Sequence, residues 1–114
     1  RIVNVASTSP LKGVTGMLHY VASKGAVIAM TRSLARELGP HGITVNALAP
    51  GMFPSRMTRG TIEQVGAEAI TALTPLGRMG DDGDLKGAAV LFASDAGKHI
   101  TGQVLPVDGG RSAV

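Results

Sequence analysis

A helical pattern set between two short β-branched runs restricts this chain more than any other feature. Ile2-Val3-Asn4-Val5-Ala6 and Ile43-Thr44-Val45-Asn46-Ala47-Leu48 are nearly continuous in apolar character. Continuous rather than alternating runs suit strands covered on both faces, as in a parallel sheet. Parallel neighbours need a crossover, almost always right-handed, and the segment between the two runs supplies one. From about Tyr20 to Leu38 the pattern is helical. Tyr20, Lys24, Val27, Thr31, Leu34 and Leu38 fall three and four apart and form one stripe. A second face carries Ala22, Ala26, Ala29, Met30 and Ser33, mostly small residues that admit a close neighbour. Gly39-Pro40 is predicted to stop the helix, with Gly39 in the left-handed cap.

The remaining elements follow from local signals. Ser7-Thr8-Ser9-Pro10 ends the first strand, since proline cannot continue a central strand. Leu11 to Leu18 reads as loop, and Ala49-Pro50-Gly51 ends the second strand. Met52 to Gly60 has no strong period. A helix is predicted from Thr61, as a possible N-cap, to Leu73, and another from about Gly83 to Ser94 with Asp81 or Asp82 as cap. Thr74 to Gly80 is a further loop. Gln103 to Val107 is the last strand, closed by Asp108-Gly109-Gly110. The expectation is an α/β fold: a doubly wound parallel sheet of three strands with crossover helices. No internal repeat or low-complexity linker divides residues 1–114, which form one domain or part of one.

Composition removes several functional classes. The 114 residues hold 11 basic and 8 acidic side chains, a net charge of +3. The cations are scattered without interleaved aromatics, so no nucleic-acid partner is expected. There is no cysteine, hence no disulfide framework and no thiolate metal site. His19, His41 and His99 lie far apart without ligand spacing, and no metal is expected. No apolar run approaches the ~20 residues of a membrane span, and the start does not read as a signal peptide. No membrane partner is expected, and a cytoplasmic setting is. The chain opens on Arg1 rather than Met and runs straight into a strand, so a fragment is expected.

The chemistry concentrates at the carboxyl ends of the strands, where open α/β sheets bind ligands. Ser7 lies just past the first strand. Tyr20 and Lys24 lie at the head of the crossover helix, four apart and on one face. A phenol with its ordinary pKa near about 10 is a poor proton carrier at neutral pH. A fixed cation nearby favours the phenolate, so the pair is suited to passing a proton to or from a substrate oxygen. Pro50, Gly51 and Ser55 follow the second strand on the same rim. Each motif alone has an ordinary reading, namely an amphipathic tyrosine beside a solvated lysine and a serine in a strand-end turn. Their order and spacing carry the argument. His19 is read as solvent or substrate rim. Arg56 and Arg59, which flank the loop, are read either as contacts for an acidic substrate or carrier or, the favoured reading, as solvated loop charges.

At these residues the sequence resembles the short-chain dehydrogenase/reductase family of Rossmann-type oxidoreductases. Ile2 to Ser7 resembles the family strand ending in the catalytic serine, and the gap from Ser7 to Tyr20 matches the family spacing. Tyr20-Val21-Ala22-Ser23-Lys24 is its Y-x-x-x-K motif. Ile43 to Gly51 resembles its V-N-x-x-x-P-G strand and turn. Ile100-Thr101-Gly102-Gln103 and Val107-Asp108-Gly109-Gly110 resemble its C-terminal signature. The resemblance implies catalytic roles for Ser7, Tyr20 and Lys24, with Tyr20 as general acid and base. It implies that Lys24 lowers the Tyr20 pKa and binds nicotinamide ribose hydroxyls, and that Ser7 holds the substrate oxygen. Tyr20, Lys24, Pro50, Gly51, Phe53 and Ser55 would contact NADP or NAD, with NADP slightly favoured. The family often has Thr where Ser55 stands.

The resemblance also implies an alcohol/ketone substrate and a homodimer or homotetramer. Phe53 to Arg59 resembles loops of some bacterial 3-oxoacyl-carrier-protein reductases and sugar-acid dehydrogenases, so the substrate is an acyl thioester or a small alcohol such as a sugar acid. The glycine-rich phosphate loop, the upstream asparagine and the residue that selects the cofactor have no counterpart in the 114 residues. They are therefore expected to be the C-terminal half of one Rossmann-type domain, unstable and inactive alone. A non-catalytic binding or assembly role is the alternative within the fold, and a small basic nucleic-acid binder is the alternative outside it.

Overall fold

Val45 to Pro50 forms the middle of the sheet, and the rest of the chain is laid against it. The computed structural model describes residues 1–114. The elements in chain order are β1 (Ile2–Val5), α1 (Ser9–Lys12), α2 (Leu18–Leu38), β2 (Val45–Pro50), α3 (Arg59–Val65), α4 (Ala67–Ala72), α5 (Lys86–Ala93) and β3 (Val104–Val107). Single 3-10 turns follow α2 at Gly39–His41 and α5 at Asp95–Gly97. The strand order is β1-β2-β3, parallel throughout. Ile2 lies opposite Val45 and Val5 opposite Leu48; Ala47 lies opposite Val104 and Pro50 opposite Val107. This is the expected α/β sheet, with α2 as the β1–β2 crossover. No helix is long and apolar enough to cross a membrane.

Packing rests on small side chains. Ala6, Ile28, Ala47 and Ala49 form the core cluster, with Val27 and Val104 against it. Alanines on the sheet let α2 lie close to β2. Every residue of β2 up to Ala49 is buried, which explains its continuous apolar run. Its one polar member, Asn46, is clamped. Its side-chain amide donates to Ile100 O at 2.8 Å and its carbonyl accepts from Gln103 N at 3.0 Å, tying β2 to the segment that leads into β3. Asn4 on β1 is satisfied likewise by Thr31 Oγ1 of α2 at 3.0 Å.

Several element boundaries differ from expectation. Within the segment read as turn and loop, Ser9–Lys12 makes one helical turn, with Pro10 in the first turn where a missing N–H costs nothing. The buried positions of α2 are Ile28, Thr31 and Ala35. The predicted stripe lies on this packed face, with Thr31 buried and its other members half-buried, and Ile28 and Ala35 extend the face beyond it. Gly39 is right-handed, at φ −55°; the backbone continues through a 3-10 turn that suits the fixed φ of Pro40, and Gly42 takes the left-handed position at φ 72°. The helix expected over 61–73 is two short helices, broken at Gly66 where φ is 88°, and Thr61 is not its cap. The last helix starts at Lys86 rather than Gly83. Asp81 accepts from Gly83 N at 2.8 Å, and Asp84 accepts from Asp81 N at 2.9 Å while Arg78 binds it at 2.6 and 2.8 Å. Those contacts hold the preceding residues in turns. The second strand runs two residues later than expected at both ends.

Candidate active site

Parallel pairing puts the carboxyl ends of β1 and β2 on one rim, so residues just past each strand become neighbours. Ser7 is there after β1, only 6% exposed. Its hydroxyl lies 3.1 Å from Ser9 Oγ, to which it donates, and accepts from Ser9 N at 3.1 Å. Tyr20 stands in the first turn of α2. One turn on, Lys24 Nζ donates to Val5 O at 2.9 Å and sits 6.0 Å from the centroid of the Tyr20 ring. An ammonium has three donors. The carbonyl takes one and fixes the charge beside the phenol, and two remain.

Ser7, Tyr20 and Gly51 line one cleft of about 250 Å³. Its apolar wall includes Met17, Met57 and Val65. Gly51 is required where it stands: its N–H donates to Val107 O at 3.0 Å, and a Cβ there would lie 2.5 Å from Asp108 Cβ. The other predicted cofactor residues are not on this cleft. Phe53 packs over Gly80, where any side chain would overlap the ring, and borders a smaller pocket of about 100 Å³. Ser55 is exposed, its hydroxyl 3.0 Å from Thr58 Oγ1 and accepting from Thr58 N at 3.2 Å. Thr58 Oγ1 in turn lies 2.6 Å from Phe53 O, to which it donates. The loop is thus bonded to itself, and Thr58 rather than Ser55 meets the cleft. Pro50 closes β2 beside it. His19, Arg56 and Arg59 are exposed.

Among the cleft residues given no site role by the sequence reading are Lys12, Thr58 and Arg111. They come from aperiodic segments, and only the shared rim of β1, β2 and β3 joins them. The Lys12 ammonium is held below its usual range, first by partial burial, then by Arg111, against the pull of Asp108.

Residues 1–112 match the family model described as enoyl-(acyl carrier protein) reductase. An oxidoreductase of the short-chain dehydrogenase/reductase family from Burkholderia thailandensis superposes with TM-score 0.92 at 32% identity, over 99% of this chain and 45% of that one. The chain belongs to the short-chain dehydrogenase/reductase family. Within the family it is 43% identical over 109 residues to the 3-oxoacyl-(acyl-carrier-protein) reductase of Staphylococcus aureus, covering 96% of this chain and 44% of that protein. It is 33% identical, with TM-score 0.95, to a gluconate 5-dehydrogenase of Burkholderia cenocepacia solved with NADP and tartrate, covering 99% and 45%. The chain therefore spans a little under half the length of these family members.

Proposed function

We propose that the protein bearing this chain is an NAD(P)-dependent oxidoreductase that interconverts a secondary alcohol and a ketone, with Tyr20 as the proton carrier. The observation that carries the reading is that Ser7 and Tyr20 meet in one cleft while Lys24 is pinned one turn from Tyr20 by the Val5 carbonyl. The family relatives, a reductase of 3-oxoacyl groups and a dehydrogenase of gluconate, support it.

The donor set fits the nicotinamide end of such a cofactor. Lys24 has two free N–H groups for neighbouring ribose hydroxyls, and Pro50-Gly51 offers a rim without bulk. Because Thr58 already engages the Ser55 hydroxyl, backbone groups of the Phe53–Ser55 loop are what remains for the carboxamide. A bound nicotinamide nucleotide exchanges a hydride with the substrate carbon, which is the redox half of the reaction. The chain's own residues manage the oxygen. In oxidation, the alcohol O–H proton passes to Tyr20 Oη; in reduction, Tyr20 returns it to the carbonyl oxygen. Ser7 Oγ, released from Ser9, donates to that oxygen and stabilises its developing charge. Lys24 supplies a fixed positive charge beside the phenol and orients the sugar. NADP is favoured, in line with the NADP held by the gluconate 5-dehydrogenase. The 114 residues are then the part of the domain that carries proton chemistry, and the nucleotide phosphates are held by residues outside them. The exposed Ala22, Ala26 and Ala29 face of α2 is the contact for a second copy in a homodimer or homotetramer.

The test is turnover by the protein from its native source. NADPH and NADH oxidation is followed with acetoacetyl thioesters, simple ketones and keto sugar acids. One nicotinamide consumed per alcohol formed supports the reading; no turnover with any class contradicts it.

A further inference from the structure

We propose that the substrate carries a carboxylate, held by Lys12 and Arg111 at the mouth of the cleft while its alcohol or ketone lies against Ser7 and Tyr20. The inference rests on the oxidoreductase reading and narrows it to hydroxy and oxo acids.

Four observations carry it. Lys12 ends α1 and Arg111 follows β3, 99 positions apart, yet both line the cleft that holds Ser7 and Tyr20. Neither is paired: the ion pairs of the chain join Arg1 to Asp95 and Arg78 to Asp81 and Asp84. Arg111 lies close enough to Lys12 to disfavour its charge, an effect that Asp108 opposes. Two like charges brought together cost free energy that a bound anion would offset. The nearest acid, Asp108, is committed elsewhere, its two oxygens accepting from Gly110 N at 3.0 Å and Ser112 N at 2.8 Å.

The cleft is also graded in depth. Ser7 is buried, Arg111 half-buried and Lys12 exposed, and methionine and valine side chains share the lining with them. A ligand that matches this grading has a hydroxyl or carbonyl at its inner end, a short carbon chain, and an anion at its outer end. A forked guanidinium beside an ammonium suits a carboxylate. A neutral acyl chain leaves both cations unpaired in a partly desolvated site.

The experiment is calorimetric binding to the native-source protein loaded with NADP. Gluconate and glucitol are the probes, since they differ by a carboxylate against a hydroxymethyl group. The expected result is at least about tenfold tighter binding of gluconate, the range of a hydrogen bond to a charged group. Arg111→Gln and Lys12→Met each remove most of that difference while leaving glucitol affinity in place, and Lys12→Arg restores it. Unchanged circular dichroism of the variants separates this from misfolding. Equal affinity for the two probes, or no measurable gluconate binding, overturns the inference. So does an equal loss for both probes in the variants. Turnover of neutral ketones together with equal probe affinity sinks the carboxylate site and leaves the oxidoreductase reading standing. Gluconate preference without turnover of any substrate does the reverse.

Discussion

Tyr20 and Lys24 can cooperate because α2 holds them one turn apart and β1 anchors the lysine. The same logic applies at Asn46, a residue that reads in the sequence only as part of a family signature. In the fold it is a clamp, wholly buried and bonded at both ends to the Ile100–Gln103 segment. Asn46→Ala leaves the part-buried Ile100 carbonyl and Gln103 N–H without their side-chain partners. The expected cost is roughly 2–6 kcal/mol, two unsatisfied groups at 1–3 kcal/mol each. Chemical denaturation of the native-source protein measures it, and a loss under about 0.5 kcal/mol would show that water replaces the contacts. Gly51 has a second role beside the cleft. Gly51→Ala forces the β2 and β3 ends apart at Asp108. The expected outcome is lowered stability together with a raised KM, read by melting and steady-state kinetics on one preparation. Ser7 and Tyr20 were legible in the sequence because strand ends and helix starts fix them in space. Lys12, Thr58 and Arg111 were not, because no period relates them.

At the scale of elements, strand identity and the crossover helix followed from apolar pattern, whereas boundaries followed local hydrogen bonding. Gly66 splits a helix that apolar pattern alone makes continuous, because a backbone at φ 88° cannot stay in the helix. The late start of α5 traces to Arg78, Asp81 and Asp84. The bidentate Arg78 contact, then the Asp81 N–H, hold the Asp84 carboxyl down to about 2, against an ordinary value of 3.8. A carboxyl depressed in the folded state stabilises at pH above its unfolded value, and that contribution fades as pH falls through the folded value. The Arg78–Asp84 contact therefore loses its stabilising effect between about pH 4 and about pH 2. Asp84→Asn should flatten that part of the stability profile, as measured by melting at stepped pH. The group is solvent-exposed, so the effect is small. An unchanged profile would show that the contact does not tie the turn to α5.

Across the whole molecule, the sheet has two unpaired edges and a thin core. Only 16 of the 114 residues are buried, and Val5 on edge strand β1 is 57% exposed. The Cα radius of gyration is 14.9 Å, against roughly 13 Å for a globule of this length. An uncovered apolar strand edge pairs with other chains. The 114 residues expressed alone should therefore aggregate or melt without cooperativity, and a sharp reversible thermal transition in dilute solution would contradict that. The fold class was visible in sequence because α2 and its flanking strands are local. The edge exposure emerges only once the strand order is known.

The central claim is that Tyr20 carries the proton, and replacing its hydroxyl tests it most directly. In the native-source protein, Tyr20→Phe keeps the ring and its place beside Lys24 while removing the transferable proton. The expected result is that NADP still binds, weakened at most by the loss of one contact, while kcat falls about 10²- to 10⁴-fold, the usual weight of a positioned acid-base group. A variant that binds NADP and turns over within a few-fold of the parent would contradict it. The cleft would then serve binding or assembly rather than catalysis by Tyr20.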